Sequence, residues 1–230
     1  MRYVIETKDL FKIYDETTIP VHAVNGVDLQ IEDDEFTAIV GPSGSGKTTL
    51  LNMIGGLDYP TEGSIKVNDV ELTDMKESER IEFRLNNIGF VFQSYNLIPV
   101  LTARENVEFI MLLQNVPKKE REERVAQLLE EVGLTDKKDN KPSELSGGQQ
   151  QRVAVARALA SKPQFILADE PTANLDSKTA SRLLDLMAKL NKEEGITFIF
   201  STHDQRVIDR ATRVITLEDG KIVSDVRQEV

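Results

Sequence analysis

Three absences limit what this chain of 230 residues can be. It contains no cysteine and only two histidines, so neither a disulfide framework nor a thiolate or imidazole metal site fits the sequence. No stretch approaches about 18 consecutive apolar residues, and the first residues, MRYVIETKD, do not read as a signal peptide. We therefore expect a soluble, cytoplasmic protein that does not itself insert into a membrane.

The chain also has fewer basic than acidic residues. The chain has 28 basic and 39 acidic residues, which gives a net charge of −11. Such a surface repels the phosphates of nucleic acids, so no nucleic-acid partner is expected. Hydrophobic residues make up 40% of the chain, enough to bury the core of one large domain or of a core with an inserted subdomain.

Short apolar runs bounded by turn residues alternate with helical patterns. The runs TKDLFKIYD, VNGVDLQIEDDEFTAIV, GSIKVND and IGFVFQ predict strands. From about residue 96 to 160 the pattern is helical, with a stop at Gly133. Strands return in FILAD and ITFIFST, which flank the helix KTASRLLDLMAKLNKEEG, and RVITLEDGKIVSDV predicts a hairpin that turns at Asp219 and Gly220. We expect an α/β core interrupted by a helical insert.

The segment GPSGSGKT, residues 41–48, follows the predicted strand FTAIV and opens a helix. In that context G-x-x-x-x-G-K-[ST] binds phosphate, because glycines let backbone N–H groups point inward and the helix N-terminus adds partial positive charge. The alternative is a Gly/Ser turn that contains a lysine by chance. Lys47 is expected to reach the β- and γ-phosphates, and Thr48 to ligate Mg²⁺. The expected binding residues are Gly41, Pro42, Ser43, Gly44, Ser45, Gly46, Lys47, Thr48 and Thr49.

Two carboxylates end the apolar run FILADE, residues 165–170. Asp169 emerges at the carboxyl end of the strand, where open α/β sheets bind ligands, and is expected to hold Mg²⁺. If the chain is still extended, Glu170 points the other way, toward the γ-phosphate, and is a candidate to polarise the attacking water. Without a phosphate site nearby, Glu170 would be a solvated carboxylate at a strand end.

The segment ELSGGQQQR, residues 144–152, places glycines and glutamines before the helical run VAVARALA. A helix start offers free N–H groups and a positive end to an anion. The simpler interpretation is a helix cap, in which Ser146 accepts a hydrogen bond from the N–H of Gly148 or Gln149. Both interpretations can hold together.

With these motifs the chain resembles the ATP-binding cassette family over essentially its whole length. LSGGQ, residues 145–149, matches the family signature, Gln93 lies in VFQ, NLD follows the second carboxylate motif, and His203 follows ITFIFST. The resemblance implies a single α/β domain with a P-loop NTPase core, a mixed sheet and an N-terminal antiparallel β subdomain. Residues 1–93 and 161–230 would form these parts, and about 94–160 an inserted α-helical signature subdomain.

The resemblance also implies that two chains pair head to tail with ATP and Mg²⁺ between them. Ser146, Gly147, Gly148 and Gln149 of one chain would then contact the γ-phosphate held by the other. Glu170 would orient or deprotonate water and His203 would contact the γ-phosphate, whereas His22 has no such context. Gln93 would contact the γ-phosphate and Mg²⁺. Tyr14 is expected to stack on the adenine, which leaves ATP and GTP undistinguished; an aromatic residue that merely belongs to a strand is the alternative.

Integral membrane permease subunits are the other partners that the resemblance implies. An apolar group after Gln93 (Tyr95, Leu97, Ile98, Pro99 and Leu101) either lines a groove for a short permease helix or packs within the insert. The segments GPSGSGKTTLLNMIGGLDYPTEGSI and IGFVFQSYNLIPVLTARENVE resemble the subgroup of lipoprotein-release, macrolide-efflux and cell-division cassettes. Peptide-antibiotic resistance exporters, amino-acid importers and non-transport cassette ATPases are the alternatives, and a small P-loop kinase leaves LSGGQ without a role.

Overall fold

A computed structural model of the protein describes residues 3–15 and 20–229. The strands are β1 (Tyr3–Tyr14), β2 (Val21–Glu32), β3 (Phe36–Val40), β4 (Glu62–Val67), β5 (Val70–Glu71), β6 (Ile88–Val91), β7 (Phe165–Asp169), β8 (Thr197–Ser201), β9 (Arg213–Glu218) and β10 (Lys221–Arg227). The helices are α1 (Lys47–Ile54), α2 (Glu77–Asn87), α3 (Ala103–Leu113), α4 (Lys118–Glu131), α5 (Gly147–Ala160), α6 (Ser177–Glu194) and α7 (Gln205–Ile208).

A six-stranded mixed sheet forms the centre, in the order β10-β9-β3-β8-β7-β6. The neighbouring pairs from β9 to β6 are parallel, and only β10 pairs antiparallel, with β9. Side chains that alternate along β7 are buried on opposite faces: Ile166 and Ala168 on one, Phe165 and Leu167 on the other. A parallel sheet covered on both faces requires such continuously apolar strands. Because β3, β8 and β7 are parallel neighbours, the segments that follow them meet at one edge.

A second, antiparallel sheet has the order β2-β1-β4-β5. Its buried side chains, among them Ile5, Leu29 and Ile65, pack with Leu50 and Met53 of α1 in one hydrophobic core. The predicted fold class, with a mixed sheet and an N-terminal antiparallel sheet, is confirmed. The hairpin predicted around Asp219 and Gly220 is also present, as β9 and β10. None of the helices within residues 3–15 and 20–229 has the length and apolar character needed to cross a bilayer.

Helices α3, α4 and α5 lie between β6 and β7 in the chain, where the sequence predicts helices. Thr102 caps α3 by accepting from the N–H of Glu105, whose carboxylate accepts from the N–H of Thr102. Gly133, with φ of +65°, follows the end of α4, as predicted for a helix stop. Val107, Leu128 and Val155 belong to one core with the adjoining face of the mixed sheet.

Helices α2 and α7 are absent from the sequence-based prediction. Helix α2 reads ESERIEFRLNN, and its buried residue is a charged one, Arg80. The sequence analysis did not identify this charged segment as a helix, and a partner distant in the chain helps to stabilise it. The guanidinium of Arg80 lies 3.1 Å from the ring centroid of Tyr59 and donates to Glu77.

Candidate nucleotide-binding site

The loop between β3 and α1 is shaped by close backbone approaches. Gly41 has φ of +151° and Gly46 has φ of +99°. A Cβ atom at Gly41 would lie 2.0 Å from the carbonyl oxygen of Leu217, and one at Gly46 would lie 2.0 Å from the carbonyl oxygen of Ala23. No other residue type fits these two positions, so the loop conformation is built into the sequence.

The ammonium group of Lys47 and the N-terminus of α1 both place positive charge inside this loop. The Nζ atom of Lys47 donates to the carbonyl oxygens of Gly41 (2.8 Å) and Pro42 (2.9 Å), and the lysine is buried. Helix α1 starts at this point with no side-chain cap at Gly46 and no acidic residue in its first turn. An ammonium group and an uncapped helix N-terminus together suit an anion such as a phosphate.

Asp169 lies beside the start of α1. The hydroxyl of Thr48 is 3.1 Å from each carboxylate oxygen of Asp169. A hydroxyl oxygen and a carboxylate are the donor set that Mg²⁺ takes when phosphates and water supply its remaining ligands. Among the described residues no group of three or more His, Cys, Asp or Glu side chains could hold a metal by itself. The residues present therefore fit a Mg²⁺ ion that arrives with a nucleotide.

Glu170 differs from the extended residue expected from the sequence. Strand β7 ends at Asp169, and Glu170 has φ of +45°, so the alternation of an extended strand does not set its direction. Its direction is set by the segment that follows β8: Oε2 accepts from the hydroxyl of Thr202 at 3.2 Å, and Oε1 lies 2.6 Å from Nδ1 of His203. Glu170 is mostly buried, whereas His203 is 76% exposed.

A cavity of about 730 Å³ joins these groups. Of the residues predicted for the site, it is lined by Tyr14, Gly41, Pro42, Ser43, Gly44, Gly46, Lys47, Thr48, Thr49, Gln93, Glu170 and His203. Ser45 is buried, and Asp169 is reached through Thr48. The structure thus brings together residues that are up to 189 positions apart in the chain, from Tyr14 to His203.

Tyr14 is oriented by residues that the sequence analysis missed. Its hydroxyl donates to Asp58 at 2.8 Å, and the ammonium of Lys12 lies 4.9 Å from its ring centroid. Lys12 also pairs with Asp58 at 2.6 Å. Asp58 lies in the turn after α1, and no local pattern connects it with β1, so only the tertiary fold reveals this contact.

The segment after β8 supplies a further missed residue, Asp204. It accepts from the hydroxyl of Thr172 at 2.6 Å and pairs with Arg206 at 2.6 Å. The hydrogen bond from the guanidinium of Arg206 is the main reason why the pKa of Asp204 falls to about 2. Asp204 caps α7 by accepting from the N–H of Arg206. An aspartate directly before a helix is a sequence signal that could have revealed this cap. Asp204 thereby fixes the chain next to His203.

The LSGGQ segment, residues 145–149, lies outside this site. None of its residues lines the cavity described above. Ser146 caps α5 by accepting from the N–H of Gln149 at 3.3 Å, and the N–H of Ser146 donates to the Gln149 side chain at 2.8 Å. The predicted cap is therefore present, with Gln149 as the donor. A Cβ at Gly147 would lie 2.7 Å from the hydroxyl of Tyr95, and one at Gly148 would lie 2.1 Å from a methyl carbon of Thr179.

The comparisons with known proteins agree with this geometry. Residues 24–173 match the family model described as ABC transporter. An ABC transporter ATP-binding protein of Thermotoga maritima is 48% identical over 100% of this chain and 98% of its own. The lipoprotein-releasing system ATP-binding protein LolD of Legionella pneumophila is 45% identical over 95% of this chain and 96% of its own.

A solved structure is similar to the whole fold. It is a dimer of the ATP-binding cassette MJ0796 of Methanocaldococcus jannaschii in a post-hydrolysis state bound to ADP and Pi, with a TM-score of 0.91 and 43% sequence identity. The alignment covers 98% of this chain and 99% of that one. The chain therefore belongs to the ABC transporter family. Within it this protein is an ATP-hydrolysing cassette of the type that includes LolD, which confirms the predicted family and enzyme class.

Proposed function

We propose that this protein is the ATP-binding and ATP-hydrolysing subunit of a membrane complex, and that it works as a head-to-tail dimer. The observation that carries the proposal is the separation of two anion-ready helix starts. The start of α1 lies in the cavity with Lys47, whereas the start of α5, at Ser146, does not line it. The dimer of the similar cassette MJ0796 supports pairing of two copies.

Each residue of the cavity has a proposed role. The loop 41–48 and Lys47 hold the phosphates, and Tyr14 stacks on the base. Thr48, Asp169 and Gln93 would hold Mg²⁺, which supplies charge that stabilises the transferring phosphoryl group.

The attacking water is assigned to Glu170. The 2.6 Å contact with His203 and the hydrogen bond from Thr202 fix the direction of its carboxylate. His203 is exposed on the cavity side, so it can also contact the γ-phosphate. The Ser146 end of the partner chain would complete the site by offering N–H groups to that phosphate.

The proposed partner is a permease of the lipoprotein-release, macrolide-efflux or cell-division type, as the relative LolD suggests. Exposed apolar side chains of the helical insert support a docking surface there: Val100 is 71% exposed, Leu112 50% and Leu113 49%. Leu97 packs against the core, so the apolar group after Gln93 also serves the insert itself. We propose a cytoplasmic location on the inner face of the membrane, held there by the permease, and residues 94–160 as the unit that moves.

A mixing experiment tests the head-to-tail arrangement. Lys47→Met disables the phosphate loop, and Ser146→Glu places a negative charge at the start of α5. Each variant alone should lack ATPase activity. In a mixed dimer, one site combines the intact phosphate loop of the Ser146→Glu chain with the intact helix start of the Lys47→Met chain. We therefore expect the mixture to recover part of the wild-type activity.

Ser224→Glu is the matched control, because it adds the same charge to the exposed edge strand β10 and should leave activity unchanged. Wild-type activity in the Ser146→Glu chain alone would show that each chain holds a complete site. A folded, inactive mixture that does not recover activity would also contradict the arrangement.

A further inference from the structure

The loop after β6 contains two consecutive residues in an unfavourable conformation. We call residues 92–102 the Gln93 loop. Tyr95 has φ of +59° and Asn96 has φ of +50°, and neither is a glycine. Left-handed backbone costs free energy at a tyrosine, and less at an asparagine, so contacts elsewhere help to hold this pair of residues in place.

Arg157, in the last turn of α5, contacts both strained residues. Its Nη1 donates to the carbonyl oxygen of Asn96 at 2.5 Å, and its Nη2 donates to the carbonyl oxygen of Tyr95 at 2.9 Å. Burial lowers the pKa of Arg157, so the fold takes up a guanidinium group at a desolvation cost. A planar fork of donors suits two adjacent carbonyl groups, which a lysine could not bind in the same way.

Further contacts place the Gln93 loop along the length of α5. The Tyr95 hydroxyl packs against Gly147 in the first turn of the helix, where an added Cβ would lie 2.7 Å from it. In the middle of α5, the buried Gln151 donates weakly to the carbonyl oxygen of Phe92 at 3.4 Å. Arg157 supplies the last and strongest link, about ten residues or 15 Å beyond Gly147.

We propose that Arg157 is a positioning residue that fixes the Gln93 loop on α5. Gln93 lines the nucleotide cavity, and Ser146 caps the start of the helix whose last turn contains Arg157. Because loop and helix are joined, a shift of Gln93 on contact with a γ-phosphate moves the Ser146 end with it. This inference rests on the proposed function, in which the Ser146 end of α5 contacts the nucleotide bound to the partner chain.

Arg157→Met tests the proposal by removing the donors while keeping an unbranched side chain. We expect kcat to fall roughly 10- to 100-fold, the effect of a small misplacement of reacting groups. The KM for ATP and the binding of nucleotide to the isolated chain should stay near wild type, because the phosphate loop is intact. Arg157→Lys should be intermediate.

Arg124→Met is the matched control within the insert. Arg124 also donates to a carbonyl oxygen at the end of α5, that of Leu159 at 3.3 Å, and to Gln127 at 3.1 Å. None of its described hydrogen bonds goes to the Gln93 loop. Activity near wild type is expected for Arg124→Met, and equal losses in both variants would show a merely structural role for Arg157.

A rescue variant separates positioning from folding. Asn96→Gly allows the left-handed conformation without strain, so in the Arg157→Met background it should restore kcat roughly two- to fivefold. No rescue, or a kcat of Arg157→Met equal to wild type, would overturn the inference. The proposed function is tested separately, because the Lys47→Met and Ser146→Glu mixture retains Arg157. Recovery there together with an unaffected Arg157→Met would contradict this inference alone.

Discussion

The starts of α1 and α5 both contain glycines, but the glycines at α1 lie against the main chain and those at α5 lie against side chains. In the loop before α1, Gly41 and Gly46 approach backbone carbonyl oxygens, which no substitution can move away. At the start of α5, Gly147 and Gly148 approach side chains, namely the hydroxyl of Tyr95 and a methyl carbon of Thr179. The first loop is therefore fixed by the main chain, and the second by a packing contact that a neighbouring residue can adjust.

Their electrostatics differ in the same way. Helix α1 has no side-chain cap, and Lys47 lies inside its loop, so the geometry of this end suits an anion. Helix α5 is capped by the neutral pair Ser146 and Gln149. Such an end is stable without a ligand and still offers its remaining N–H groups to an anion from outside. The contrast supports our proposal that the two helix starts have different roles.

The largest effect is expected at Gly46. In Gly46→Ala the added methyl group meets the carbonyl oxygen of Ala23, and alanine is strained at this φ. Overpacking and left-handed strain together should lower the free energy of unfolding by about 2–5 kcal/mol, measured by urea denaturation. Gly44→Ala is the control, because its φ is +80° but nothing lies within 4 Å of the added Cβ. Equal losses in the two variants would contradict the backbone clash.

Gly148→Ala should be less damaging and, unlike Gly46→Ala, repairable. The new methyl group would meet the Thr179 methyl carbon, and overpacking costs about 1–3 kcal/mol. Thr179→Ser removes that carbon and keeps the hydroxyl, so the double variant should recover most of the loss in the same denaturation measurement. Thr179→Ser alone supplies the baseline. If the losses of stability in Gly148→Ala and Thr179→Ser simply add in the double variant, the contact between residue 148 and Thr179 is not the cause. In that case Gly148 would not differ from Gly46 in the way described.

Acid should distinguish the charged cap of α7, Asp204, from the neutral cap of α5 by a smaller amount. The pKa of Asp204, lowered to about 2 from 3.8, makes its contribution full above about pH 4 and lost as the pH falls toward 2. The shift corresponds to about 2 kcal/mol at neutral pH. Asp204→Asn should therefore be less stable than wild type near pH 7, with the difference shrinking below about pH 4 in urea denaturation.

Ser146→Ala provides the comparison, because the cap that it removes contains no titratable group. Its loss of about 0.5–2 kcal/mol should be independent of pH over the same range. A constant difference for Asp204→Asn, or a titrating one for Ser146→Ala, would contradict the assignment of a charged cap to α7 and a neutral cap to α5.

The elements that the sequence predicted are those with a strong local signal. Strand β7 is continuously apolar, the loop at 41–48 has its glycines at fixed spacing, and Ser146 and Gln149 form a cap across three residues. Each depends on neighbours in the chain. For this reason their identity could be predicted without knowledge of the tertiary fold.

Features that depend on distant partners could not be predicted. Helix α2 buries an arginine against Tyr59, and Tyr14 is oriented by Asp58, 44 positions away. The predicted direction of Glu170 depended on the chain still being extended, but its backbone turns there and Thr202 sets its direction. In each case the contacting side chains come from two or more segments of the chain. No local sequence pattern indicates which segments come together in the fold.

The mass of the Glu170→Gln variant in the presence of Mg²⁺ and ATP tests the central claim most directly. Loss of the proposed base should slow turnover by about 10²- to 10⁴-fold while leaving the phosphate loop intact, so the nucleotide persists between chains. Analytical ultracentrifugation should give twice the mass of one chain with Mg-ATP and the mass of one chain without nucleotide. A single chain in both conditions, with ATP shown to be bound, would contradict the shared site.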